Sequence, residues 1–221
     1  MAIKGALWYQ GCSDVGAAER YDHQIRALVT DWREHFTSPD GLPFSIVQLA
    51  AFVRTNEQPV DSEWAKMRWT QMKLGETIEK SGTAVLIDVG EKDNIHPHDK
   101  KTPGERLARL ALHRTYGRKD VVEAGPIPTV SKVVKNVVGV GFKNAAGLKT
   151  SDGGKVLGFQ LAGADGKFAW ADAKIVKDKI AVDIPSGMKP TKVRYAWDDY
   201  PVCNLVNGEG LPCGPFELEV K

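Results

Sequence analysis

The 221 residues predict an α/β fold, a small wound parallel sheet followed by an antiparallel β domain. Three observations carry this. Up to Tyr116, short apolar runs alternate with segments of helical period. After Gly125-Pro126-Ile127-Pro128 no helical period survives. Beyond that point short β-type runs alternate with turns. The division falls at 124/125: residues 1–124 form the α/β part and residues 125–221 the β-rich part.

Each element has its own signal. Ala6-Leu7-Trp8-Tyr9-Gln10 reads as a first strand, and Gly11-Cys12-Ser13-Asp14 as the turn after it. A helix follows from about Ala17 to Phe36. Tyr21, Ile25, Leu28, Trp32 and Phe36 place its apolar side at spacings of three and four. Pro39, Gly41 and Pro43 close it. Phe44-Ser45-Ile46-Val47-Gln48-Leu49 is a second strand. The polar loop Arg54-Thr55-Asn56-Glu57-Gln58 precedes a second helix, about Asp61 to Lys80. Val60, Trp64, Met67, Gln71, Leu74 and Ile78 mark its buried side, and Asp61 or Ser62 its N-cap. Thr83 to Asp88 is a third strand. Thr102-Pro103-Gly104-Glu105 reads as a capping box with proline at the first helical position, opening a helix from Pro103 to Tyr116. Strands and helices alternate, so the crossovers make the sheet parallel. Three strands are few for this architecture, and further strands are expected on the N-terminal side.

In the second part Val133-Val134, Val137–Phe142, Val156–Leu161, Lys174–Val176, Lys179–Ile184, Val193–Trp197 and Phe216–Val220 read as strands. Gly153-Gly154 and Asp165-Gly166 read as hairpin turns. The expected architecture is sandwich-like.

Charge narrows the function. Thirty basic residues against 28 acidic ones leave a net charge of +2. No basic excess points to nucleic acid or a membrane surface. No apolar run is long enough to span a bilayer, and Met1-Ala2-Ile3-Lys4 is not followed by the apolar region of a signal peptide. The three cysteines, Cys12, Cys203 and Cys213, have no zinc spacing. Cys203 and Cys213 are either a pair or two reduced core thiols.

The stretch richest in chemistry is Asp93-Asn94-Ile95-His96-Pro97, on the loop leaving the third strand. Open α/β sheets place their ligands there. A histidine beside a carboxylate is either an oriented general base or part of a solvated polar loop. Asp93, His96, His98 and Asp99 together also have the donor types of a hard or borderline metal site.

The sequence resembles a known family. Gly5-Ala6-Leu7-Trp8-Tyr9-Gln10-Gly11-Cys12-Ser13-Asp14 is similar to the G-x-x-W-Y-Q-G-x-S-N block of the sialate O-acetylesterases, which are SGNH-type carbohydrate esterases. Asp93-Asn94-Ile95-His96-Pro97 resembles their D-x-I-H-P block. Between them Tyr21, Asp31-Trp32-Arg33, Leu42-Pro43-Phe44, Val47-Gln48-Leu49-Ala50 and Gly104-Glu105-Arg106-Leu107-Ala108 also fit. So do Val193-Arg194-Tyr195-Ala196-Trp197, Asn204-Leu205, Glu209-Gly210-Leu211-Pro212 and Pro215-Phe216. The likeness covers nearly the whole chain.

The resemblance implies a partial SGNH-hydrolase-like sheet and a serine esterase that removes O-acetyl groups from sialic acid or related sugars. His96 would be the general base and Asp93 its supporting carboxylate. Gln10, Gly11 and residue 14 would line the acyl pocket, with residue 14 an oxyanion donor. It implies no metal and no cofactor, an O-acetylated sugar as substrate, and a secreted or periplasmic location. Two departures matter. The family's nucleophile lies in a G-Q-S-N block upstream of the tryptophan block, and no such block occurs in these residues. Ser13 belongs to a different block. The chain therefore reads as the C-terminal portion of an esterase, inactive alone, whose serine would come from an N-terminal segment. The second departure is Asp14 in place of asparagine. An ionised aspartate cannot donate to an oxyanion, and losing one such donor costs about 10²–10³ in rate. These departures also support an alternative, a non-catalytic carbohydrate-binding or interaction module.

The remaining candidates have structural readings. His23 and His35 on the first helix and His113 on the third suit surface or packing roles. Trp8, Trp32 and Trp64 sit at core positions, while Trp170 and Trp197 fit either packing or sugar stacking. Arg54 and Gln58 are placed by their loop alone as substrate contacts.

Overall fold

Three parallel strands form the sheet that positions the predicted site. The structure, a computed structural model, describes residues 3–36 and 41–221. Strands β1 (Ala6–Trp8), β2 (Phe44–Val47) and β3 (Ser81–Ala84) lie in the order β1-β2-β3, in register from Ala6↔Phe44 and Phe44↔Ser81. Helices α1 (Ala18–His35), α2 (Glu63–Thr77) and α3 (Lys101–Leu110) alternate with them. The chain divides into two compact units, Met1–Phe52 with Lys66–Ala124, and Val53–Ala65 with Gly125–Lys221.

The first unit follows the apolar pattern with local corrections. In α1 the buried residues are Tyr21, Ile25 and Val29. Val29 takes the place expected of Leu28, which is only partly buried. Trp32 stays in the core side, its ring 5.9–6.0 Å from those of Trp8, Phe36 and Phe44. The expected close of α1 at Pro39 lies outside the described residues. Strand β3 starts at Ser81 and stops at Ala84, short of Asp88. Val85, Leu86 and Ile87 are buried but unladdered, and Val89 N–H turns back to the Leu86 carbonyl. Asp88 instead forms a two-pronged pair with Arg106 of α3 at 2.6 and 2.7 Å.

Helix α2 is buried on more than one side. Ala65, Met67, Met72 and Leu74 are in the core, and so are Arg68 and Gln71. Ser62 is its N-cap: Ala65 N–H donates to Ser62 Oγ at 3.0 Å. The capping box proposed at Thr102 does not form. Asp99 caps α3, accepting from Thr102 N–H at 2.9 Å and from its hydroxyl at 2.6 Å. These bonds hold the Asp99 carboxyl below the usual carboxylate range. The helix also ends earlier than expected. Ala111–Thr115 widens into a π-helical turn, with Tyr116 N–H reaching the Ala111 carbonyl at 3.0 Å.

The second unit holds two four-stranded antiparallel sheets. One runs β4 (Ile127–Val134), β5 (Val137–Lys143), β10 (Lys179–Asp183) and β9 (Ala173–Val176). The other runs β13 (Phe216–Glu219), β11 (Lys192–Tyr195), β7 (Phe159–Ala162) and β8 (Phe168–Trp170). Val138, Val140, Ile180 and Val182 are fully buried from the first sheet, and Phe159, Leu161, Val193, Tyr195 and Phe216 from the second. Phe142 meets Phe216 edge-on at 5.9 Å, joining the two sets. The chain end joins them too: Val133 N–H donates to Lys221 O and Lys221 N–H to Ser131 O. Asp165-Gly166 does connect the paired strands β7 and β8. Gly153-Gly154 does not make a hairpin, because β6 (Lys149–Thr150) pairs with β12 (Leu205–Val206) instead. Cys203 and Cys213 are reduced thiols, as is Cys12. Burial raises the Cys213 thiol well above its ordinary value.

The loop at 53–65 is fixed within this unit by an acidic pair the sequence pattern did not mark. Asp198 accepts from Asn56 N–H at 2.8 Å, and Asp199 accepts from Ser62 Oγ at 2.6 Å. Trp170 donates its indole N–H to the Glu57 carbonyl at 2.9 Å. Trp197 is buried and lies under the Arg194 guanidinium, 4.5 Å from its ring centroid.

Arg68 satisfies two buried carbonyls, and removing it leaves both without a donor. Arg68→Ala is expected to cost about 2–5 kcal/mol, read from urea or thermal unfolding, whereas a change within about 0.5 kcal/mol would show the carbonyls find water.

Candidate active site

The exits of all three strands lie on the same, C-terminal edge of the parallel sheet, the edge at which such sheets bind ligands. The β1 exit carries Tyr9 to Asp14, the β2 exit Gln48 to Phe52, and the β3 exit Val85 to Asp99. Two of these exits hold the blocks singled out in the sequence.

Buried polar side chains of α2 set the first two exits. Gln71 Oε1 accepts Leu49 N–H at 2.8 Å, and Gln71 Nε2 donates to the Gln10 carbonyl at 3.1 Å. The Tyr21 hydroxyl donates to the same carbonyl at 3.1 Å. Burial pushes the Tyr21 hydroxyl up, which keeps it a donor. Arg68 donates to the Leu49 and Ala50 carbonyls, each at 3.0 Å. Gly11 has φ +138°, and a Cβ there would stand 3.0 Å from Gln71 Nε2. Glycine is thus required twice over, by conformation and by room. Gly90 meets the same kind of limit on the third exit, where a Cβ would fall 1.8 Å from the Ala51 carbonyl oxygen.

The five predicted site residues fall into two groups. Gln10, Gly11 and Asp14 are together on the β1 exit. Gln10 Nε2 donates to Asp14 Oδ2 at 2.7 Å, and Arg20 lies 3.6 Å from Asp14 Oδ1. Asp14 is therefore engaged as an acceptor. Gln10 is exposed and keeps a second amide N–H. Ser13 is exposed on the 3₁₀ turn Cys12–Asp14. Asp93 and His96 are on the β3 exit, both exposed. Neither side chain has a hydrogen bond to the other among the described residues. Tyr9 on the β1 exit has its ring 5.9 Å from the Nζ of Lys100, the residue just before α3.

A different pair organises the loop that carries His96. Glu91 accepts His98 N–H at 2.6 Å, and its two oxygens lie 3.0 Å from His98 Nδ1. Asn94 Nδ2 reaches Glu91 Oε2 at 3.3 Å, and Asn94 Oδ1 accepts His96 N–H at 2.9 Å. Pro97 is the loop's buried anchor. His98 is thus spent on Glu91, and Asp99 on the cap of α3. Among the described residues no group of three or more His, Cys, Asp or Glu side chains is arranged to hold a metal ion. The sequence reading passed over Glu91, Arg20, Arg68 and Lys100. Gln71 carried a signal, as the one polar residue on the apolar side of its helix. The other histidines are structural where they bond: His113 faces the Val121 carbonyl and His35 the Asp31 carbonyl.

The His98 N–H holds the Glu91 carboxyl below the usual carboxylate range, with the His98 ring and the Asn94 amide adding to it. A lowered folded-state pKa contributes order that is full above the ordinary value and is lost as pH falls through the lowered one. Hydrogen exchange of the His98 amide is therefore expected to quicken as pH falls through that range, after correction for intrinsic rates. Glu91→Ala should speed it by about tenfold at neutral pH, and unchanged exchange would remove Glu91 from this role.

Comparison with known proteins identifies the family. A family described as carbohydrate esterase, sialic acid-specific acetylesterase, matches residues 1–113. The sialate O-acetylesterase of Homo sapiens is 27% identical over 244 residues, covering 98% of this chain and 46% of the relative. That of Mus musculus is 32% identical over 144 residues, covering 58% and 26%. The crystal structure of a carbohydrate acetylesterase from Xanthomonas citri superposes with a TM-score of 0.89 at 35% identity, covering 98% of this chain and 50% of that one. The chain spans about half the length of these full-length matches. It belongs to the sialic acid-specific acetylesterase family of carbohydrate esterases.

Proposed function

We propose that this chain carries the histidine half of a serine-dependent carbohydrate O-acetylesterase site. The observation that supports this most is the placement of both blocks, Gln10–Asp14 and Asp93–His96, on exits from one edge of one parallel sheet. The substrate class is an O-acetylated sugar, sialic acid or a relative of it. In this reading His96 takes the proton of a serine hydroxyl as that oxygen attacks the acetyl carbonyl, and then returns it to the leaving sugar oxygen. Asp93 supports the charged imidazole once substrate and serine order the exposed loop. Such bonds often tighten only in the complex.

The oxyanion role passes from residue 14 to residue 10. Ionised Asp14 takes one Gln10 N–H and so orients the other, and Arg20 offsets its charge. Gln10 then supplies the donor to the developing oxyanion. In this reading the nucleophile is not Ser13, which belongs to the tryptophan block, and these 221 residues contain no G-Q-S-N block. The engagement of Asp14 as an acceptor also favours a second reading, a non-catalytic carbohydrate-binding or interaction module.

The chain alone should not hydrolyse p-nitrophenyl acetate or an O-acetylated sialic acid above the buffer rate. Robust turnover lost in His96→Ala would overturn the absent-serine reading. Fusion behind an N-terminal segment that carries a G-Q-S-N block should bring activity. In that fusion Gln10→Ala should lower kcat by about 10²-fold, and Asp14→Asn should raise it by about tenfold or more as a donor returns. Glycan binding with no turnover in the fusion would favour the module instead.

A further inference from the structure

The second unit contains a cleft that the esterase reading does not use. It lies between the β4–β5 turn and the loop after β10, which Ile184 N–H ties to the Asn136 carbonyl at 3.3 Å. Its volume is about 480 Å³, within the roughly 300–1,000 Å³ of small-molecule sites. Lys135 and Lys189 stand on its walls, and no carboxylate lines it. Among the described residues neither lysine makes an ion pair. Lys135 occupies a left-handed position, φ +58°, in the two-residue turn between β4 and β5. Asn136 and Ser186 add neutral donors and acceptors, while Ile184, Pro185 and Met188, all half-buried, supply apolar surface.

This combination selects a ligand chemistry. Two unpaired ammonium groups attract an anion and disfavour a cation. Neutral amide and hydroxyl groups match sugar hydroxyls, and the apolar side chains match the C–H face of a pyranose. We propose that this cleft binds a carboxylated sugar unit of an acidic glycan. The site is independent of the esterase reading, because it uses none of the residues on the strand exits of the first unit.

The test is an NMR titration of the whole ¹⁵N-labelled chain with N-acetylneuraminate and with glucuronate, against glucose and sodium sulfate. Saturable shifts are expected at the amides of Asn136 and Ser186–Lys189, with dissociation constants of about a millimolar order. Raising the salt to about 0.5 M should weaken the binding. The pair Lys135→Asn and Lys189→Gln should weaken it by about tenfold, because two exposed ion pairs are lost. Asparagine suits the left-handed position, and an unchanged melting curve will show that the variant folds. Equal shifts with glucose, equal binding of sulfate, undiminished binding by the variant, or acidic-sugar shifts confined to the Gln10–Asp14 and His96 loops would each overturn the proposal.

Discussion

The first unit depends on two polar side chains buried inside it, Arg68 and Gln71. A loop that leaves a parallel sheet must find partners for backbone groups that the ladder no longer satisfies. Here helix α2 supplies them from positions three residues apart, one helical face. Arg68 serves the Leu49 and Ala50 carbonyls, and Gln71 serves Leu49 N–H and the Gln10 carbonyl. One helix thus fixes the outlets of two strands. The spacing of Gln10 from the β2 exit follows from the reach of a single glutamine amide.

The electrostatics of the site edge are local rather than global. A net charge of +2 sets no strong field. What matters is pairing within a few ångströms: Asp14 with Gln10 and Arg20, Glu91 with His98, Asp88 with Arg106, Asp99 with Thr102. Among the described residues Asp93 has no such pair, and it is exposed, as is His96.

Much of this was legible in the residues. The alternation of apolar runs and helical periods gave the parallel sheet, because burial of apolar faces dominates both. The two family blocks fall after two strands of that sheet, on one edge of it. The departures at Thr102 and Asp88 share a cause, competition by side-chain hydrogen bonds that periodicity does not register, whereas the one at Leu28 is a matter of which apolar residue faces the core. Thr102 looked like a cap, but Asp99 reached its N–H first. Leu28 matched the helical spacing, but Val29 faced the core. Asp88 looked like the end of a strand and is instead a partner for Arg106. The Glu91–His98 pair lies seven residues apart in a loop with no period at all, so no pattern could announce it.

The excursion of residues 53–65 into the second unit has a consequence for the order of folding. The Asn56 N–H waits for an acceptor, Asp198, that lies 142 residues further along the chain. The N-cap residue of α2, Ser62, likewise bonds Asp199, 137 residues later. On a ribosome, the loop and the first turn of α2 are therefore made long before their partners exist. Closing so long a loop is slow. The helix that anchors the strand exits has a start that gains this partner only after residue 199 has been made.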